Sequence, residues 1–173
     1  MKILPKILTD TWWGNILLGF TSAVIFYYVI LSTVLSSNTP VVAVVSGSME
    51  HDASVESDHY DWLQKTLEYN KSYVESWPVN GGFNIGDMPI IRGKESYQVG
   101  DVIVYSVHGV DAPIIHRIIL VNQDGTYQTK GDNNPSQLSY EASVKPDQIR
   151  GKVIFIIPKI GYFKVVINRL FGV

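Results

Sequence analysis

Ser48 closes the stretch V-V-A-V-V-S-G-S at residues 41–48 and is followed by M-E-H. The five small apolar residues Val41–Val45 predict a buried β-branched strand that runs into a glycine-containing turn. Glycine relieves the steric limits on the backbone there, so the next hydroxyl can be aimed out of a sheet, as catalytic nucleophiles on tight turns after strands often are. S-G-S alone is also an ordinary turn. A serine hydroxyl attacks poorly until a neighbouring base takes its proton, and the chain offers 4 histidines for that task. His51 and His59 fall in an acidic stretch and His108 in a Gly-Val-Asp turn. His116 differs, lying mid-strand in P-I-I-H-R-I-I-L, where alternation sets it on the face opposite Ile115 and Arg117. A histidine so placed is either a base or a half-buried hydrogen-bonding residue. Asp132, in K-G-D-N-N-P just after a strand, has the type needed to orient a base, and is equally a common turn residue.

Four pieces occur in order: S-G-S-M-E at Ser46–Glu50, V-G-D-V-I-V-Y at Val99–Tyr105, I-I-H-R-I at Ile114–Ile118 and T-K-G-D-N-N at Thr129–Asn134. Together they resemble the type I signal peptidases, in the branch found in archaea and the endoplasmic reticulum, over nearly the whole chain. The resemblance implies Ser48 as nucleophile, His116 as general base where the bacterial branch has lysine, and Asp132 as the acid that orients it. It further implies an oxyanion site from the Ser48 N–H and the Ser46 hydroxyl, with Gly47 and Met49 of the same turn in the oxyanion and substrate contacts. Two departures stand out. Family members commonly carry a second aspartate six residues after the first, and here that position is Leu138; the acid is then Asp132, Glu141 or absent in a Ser48–His116 dyad, and Asp132 is favoured. The proline that usually follows S-G-S-M-E is His51. The implied activity is that of a membrane-bound serine endopeptidase removing signal peptides after a small residue at the outer membrane face. Its expected partners are secretory preproteins, the bilayer and the translocation channel, and its expected location is the plasma membrane. The alternatives are an inactive anchored β-domain that binds preproteins or a partner subunit, favoured by Leu138, and a self-cleaving relative of the repressor proteases, which the anchor and His116 oppose.

Composition narrows the field. The net charge of −2 gives no basic surface for nucleic acid, and the absence of cysteine excludes disulfides, thiolate metal sites and a cysteine nucleophile. No H-E-x-x-H or H-x-x-x-H spacing or phosphate loop occurs, so neither metal nor other cofactor is expected.

The elements that must hold these residues are legible in outline. Ile16–Leu35 is 20 residues without a charge, enough for a helix of ~30 Å, the hydrocarbon thickness of a bilayer. Trp12 and Trp13 precede it as interface residues, and Lys2 and Lys6 predict a cytoplasmic N-terminus, single-pass. The apolar run exceeds that of a cleaved leader. Ser36–Pro40 then breaks the helix, leaving Ser48 close to the outer surface. Residues 51–87 hold seven acidic residues against two lysines and predict an insertion with one helix over Asp58–Ser76. Strands are expected at Met88–Arg92, Asp101–Val107, Ile114–Val121, Thr126–Lys130 and Ile149–Ile157. The fold class is therefore mainly β: an anchor over 1–37, a coiled antiparallel catalytic domain over 38–158, and a short interfacial helix over 159–173.

Overall fold

The computed structural model describes residues 11–51, 53–94, 96–162 and 166. Lys2 and Lys6 lie outside these residues, as do residues 163–165 and 167–173 of the expected C-terminal helix. The first element, α1 (Trp12–Leu35), is a continuous 24-residue helix with none of its apolar window buried against the protein. At 1.5 Å per residue it is ~36 Å long. Thr11 caps it by accepting from the Gly14 N–H at 3.1 Å, so Trp12 and Trp13 begin the helix rather than precede it. Its middle, Phe26–Leu31, widens into a π-helical turn before the α pattern resumes at Ser32–Leu35.

Five strands follow: β1 (Met88–Arg92), β2 (Val102–Tyr105), β3 (Ile114–Val121), β4 (Tyr127–Lys130) and β5 (Ile149–Ile157). They form one sheet in the order β1-β5-β2-β3-β4, every pair antiparallel. Three register shifts, at Ile90/Ile91, Val104/Tyr105 and Ile118/Leu120, coil it, because an extra residue on one strand sharpens the local twist. All four residues of β2 are buried, which explains its unbroken apolar run V-I-V-Y. Val102 and Val104 pack with Val42, Val44, Met49 and Ile91, while Ile103 and Tyr105 pack on the other face with Ile118, Tyr127 and Val144.

Two expectations change. Val41–Val45 is not a full strand: it runs extended beside β1, with one bridge from Val41 to Ile90 and bonds from the Val42 N–H to Pro89 O and the Val44 N–H to Asp87 O at 3.2 and 3.0 Å. The single inserted helix is two, α2 (Ala53–Leu67) and α3 (Lys71–Glu75). Glu68 breaks them with a left-handed φ of 59°, and Asn70 caps α3 by accepting from the Tyr73 N–H at 2.9 Å. Leu63, Val74 and Trp77 close this insertion onto Ile119 of β3, and the Tyr69 hydroxyl donates to the Ile119 carbonyl at 2.9 Å.

The junction of α1 with the sheet is tight. The Gly93 N–H donates to Leu35 O at 2.9 Å, and the Ser37 hydroxyl donates to Arg150 O at 3.1 Å. A Cβ on Gly93 would meet the Ser36 carbonyl oxygen at 2.0 Å, so only glycine allows the approach. Gly93→Ala is expected to destabilise the domain by about 1–3 kcal/mol, the usual cost of forcing an atom into a filled contact. Limited proteolysis between residues 36 and 40 should quicken in parallel; an unchanged rate would mean the junction yields without strain.

Candidate active site

Ser48 and His116 meet. The Ser48 hydroxyl lies 3.1 Å from His116 Nε2. Three elements create the contact: the turn after the extended segment 41–45, mid-β3 and the loop after β4. The Asn133 N–H donates to Ser48 O and its side-chain amide to Gly47 O, both at 2.8 Å, so this loop grips the turn by two successive carbonyls. A side chain on Gly131 would meet His116 Nε2 at 2.8 Å, so glycine there leaves the ring its room.

The other ring nitrogen of His116 does not reach Asp132. His116 Nδ1 is hydrogen bonded to Glu141 Oε1. Glu141 is fully buried in a 3-10 turn, Ser139–Glu141, and its second oxygen accepts from the Leu138 N–H at 2.6 Å. A carboxylate only accepts, so Nδ1 carries the proton and Nε2 presents its lone pair to Ser48. The favoured expectation of an Asp132–His116 contact is thereby corrected in favour of Glu141, the alternative. Leucine at 138 contributes no carboxylate, yet its backbone holds the one three residues on.

Asp132 is occupied elsewhere, and the pleat explains where. Arg117 follows His116 in β3, so its side chain leaves the opposite face. It donates to Asp132 from Nε at 3.0 Å and from Nη2 at 2.7 Å. Its remaining donors go to Pro78 O, Gly100 O and Val79 O at 2.7, 2.9 and 2.8 Å, so all five are satisfied. His51 Nε2 lies 2.9 Å from Asp132 Oδ2, and His59 Nε2 lies 3.6 Å from Oδ1. Burial alone would push the Asp132 carboxyl up; the Arg117 guanidinium and the His51 hydrogen bond outweigh it and hold the group far below the carboxylate range. Burial pushes the His59 imidazole down to about 4 against the pull of Asp132, with Lys130, Arg117 and His51 reinforcing the fall. Its Nδ1 has no partner among the described residues. Burial likewise pushes the Lys130 ammonium down; it donates to Gly131 O at 3.0 Å and sits over the Trp62 ring. The roles of Arg117, His51, His59 and Asn133 have no local sequence signal, since each depends on partners brought from elsewhere in the chain.

The remaining turn residues divide. Ser46 places its hydroxyl 3.3 Å from that of Ser48 and lines the same cleft. Met49 turns inward: 1% exposed, it joins the core and its sulfur accepts from the Asp132 N–H at 3.4 Å. Gly47 lies under the turn against Glu50. The cleft over Ser48 and His116 measures about 330 Å³ and is walled mainly by apolar groups, among them Ala43, Val45, Phe83, Ile115 and Leu138. The Ser48 N–H and the backbone groups of Ala43 and Val45 are without hydrogen-bond partners among the described residues. No cluster of three or more potential metal ligands occurs among the described residues.

Known proteins similar to this chain include several signal peptidase complex catalytic subunits. The signal peptidase complex catalytic subunit of Komagataella phaffii is 30% identical over 154 residues, covering 80% of this chain and 72% of its own. That of Clavispora lusitaniae is 31% identical over 161 residues, covering 87% and 78%. That of Scheffersomyces stipitis is 27% identical over the same length. No family model matches the chain.

Two stability measurements test this electrostatic arrangement. Asp132→Asn uncovers a buried guanidinium and should cost about 3–5 kcal/mol, lowering Tm by roughly 6–20 °C in a domain of this size; a shift under about 2 °C would refute the structural role of the pair. The second is pH dependence. The unfolded His59 takes up a proton below about 6.5, the folded one only below about 4, so between those values the unfolded state binds more protons. Stability must fall as pH drops through that window, by on the order of 3 kcal/mol from this residue. His59→Gln should flatten the decline in Tm between pH 7 and pH 4; an identical slope would show that another group sets it.

Proposed function

The chain belongs to the type I signal peptidases, in the branch of the endoplasmic-reticulum catalytic subunits, and from that membership we propose that it is a membrane-anchored serine endopeptidase that removes signal peptides from secretory preproteins. The observation that carries this reading is the relay Ser48–His116–Glu141. In it, Nε2 of His116 takes the Ser48 proton as Oγ attacks the scissile carbonyl, and the buried Glu141 carboxylate stabilises the imidazolium that forms. The Ser48 N–H and the Ser46 hydroxyl receive the developing oxyanion. The imidazolium then protonates the leaving amine, and water repeats the sequence on the acyl-enzyme. Leu138, the feature that favoured an inactive binding domain, supports the relay through its N–H.

The substrate is read as an extended chain laid along the free edge of Ala43 and Val45, whose backbone groups give it main-chain hydrogen bonds. The shallow apolar cleft then admits small side chains near the cut. In this reading α1 spans the bilayer with residues 1–10 cytoplasmic, and residues 38–158 form the catalytic domain on the far side. The relatives' names place those proteins in a complex, so companion subunits are proposed here too.

Purified protein incubated in detergent with a preprotein carrying its signal peptide tests the proposal directly. One specific cut is expected, with Ser48→Ala abolishing it at unchanged Tm. Glu141→Gln should reduce kcat by up to ~10⁴, because an amide no longer holds the imidazole in the required tautomer. Wild-type turnover in Glu141→Gln would eliminate Glu141 as the orienting acid, and cleavage by Ser48→Ala would eliminate the mechanism.

A further inference from the structure

A second cavity, sharing no residue with the catalytic cleft, lies where α1 meets the sheet. It measures about 620 Å³ and is polar; its walls include Ser36, Asn38, Lys94, Tyr97, Asp147 and Arg150. We propose that it seats the phosphodiester of an anionic lipid headgroup, an inference that rests on the reading of α1 as a membrane span.

Depth is the first argument. A hydrocarbon core is ~30 Å thick and each headgroup layer adds roughly 5–7 Å. With Trp12 and Trp13 at one interface, a 24-residue helix of ~36 Å carries Leu35 to the opposite headgroup layer. Ser36 and Asn38 follow Leu35 directly, so the cavity opens at the level of the lipid phosphates. The Gly93–Leu35 and Ser37–Arg150 bonds hold it there, since they tie the helix end to β1 and β5.

Charge is the second. Neither the Lys94 ammonium nor the Arg150 guanidinium makes an ion pair among the described residues, and Arg150 spends only its Nε–H, on the Ser106 hydroxyl at 2.9 Å. Its terminal nitrogens keep the fork that matches two phosphate oxygens. Asp147 on the wall offsets one of the two cations, leaving +1 from the described lining (Lys94 and Arg150 against Asp147). That balance suits the single charge of a phosphodiester better than a phosphate dianion. The hydroxyls of Ser36 and Tyr97 and the Asn38 amide are neutral groups suited to the rest of a headgroup.

The test uses the full chain. Solubilised protein loaded with phosphatidylglycerol, phosphatidylcholine or inorganic phosphate is examined by native mass spectrometry, alongside flotation with vesicles of the same lipids and cleavage of a short soluble peptide. One retained phosphatidylglycerol is expected, preferred over phosphatidylcholine and not displaced by inorganic phosphate. The double variant Lys94→Ala/Arg150→Ala should weaken retention by about tenfold or more while cleaving the peptide normally, since two surface cations are lost. Asp147→Asn should strengthen it. Equal retention by the wild type and the double variant overturns the site, as does displacement by inorganic phosphate. Failure to float removes the span and the headgroup site with it; floating without lipid preference overturns the site alone. Loss of peptide cleavage in the wild type would instead strike the peptidase reading.

Discussion

A guanidinium buried to 1% exposure must find a partner for each of its five N–H groups or be expelled to water. Arg117 meets that demand by drawing together three separate places in the chain. Asp132 brings the loop after β4; Pro78 and Val79 bring the exit of the insertion; Gly100 brings the approach to β2. The Ser48 turn follows, because the residue after Asp132 holds the carbonyls of Gly47 and Ser48. The acidic insertion is thus bound to the Arg117–Asp132 pair at both ends, through His51 and His59 at its start and through Pro78 and Val79 at its exit.

Two neighbouring residues of β3 therefore serve two separate carboxylates. His116 takes Glu141 on one face and Arg117 takes Asp132 on the other. An aspartate held by a fixed cation is a poor support for a base, since its charge is already neutralised and both oxygens are engaged. Among the described residues Glu141 has no cation in hydrogen-bonding contact; its oxygens meet His116 Nδ1 and the Leu138 N–H. Glu141 is therefore the carboxylate that faces His116.

What could be read from residues alone follows from the range of the forces involved. The five strands were legible because runs of β-branched and aromatic residues bounded by turn residues are a local signal, and β1, β3 and β5 fall at the expected bounds. The long apolar helix was legible because twenty uncharged residues admit few other fates. The meeting of Ser48 and His116 was legible through their motifs. The carboxylate that meets His116 was not: a G-D-N-N turn advertises Asp132, whereas Glu141 reaches His116 only after a 3-10 turn that no periodicity marks. The insertion was misjudged at Glu68, because its apolar spacing continues across a break made by one left-handed residue. Val41–Val45 has strand composition but pairs on one side only, which leaves the opposite edge open for another chain.

The strand order has a consequence for when the molecule acquires its chemistry. β2, β3 and β4 are neighbours in both sequence and space, so the half bearing His116 can form from local hairpins. The Ser48 turn leans on β1, and β1 joins that half only through β5, the last of the five strands to be made. At synthesis rates of roughly 5–20 residues per second, several seconds separate the appearance of Ser48 from that of the strand that locks it in place. Before that strand is made, the two pieces are joined by the Asn133 bonds to Gly47 and Ser48 and by the packing of Val42, Val44 and Met49 on Val102 and Val104. In sheet order, the piece that carries the Ser48 turn is therefore joined to the piece that carries His116 by the last strand to be synthesised.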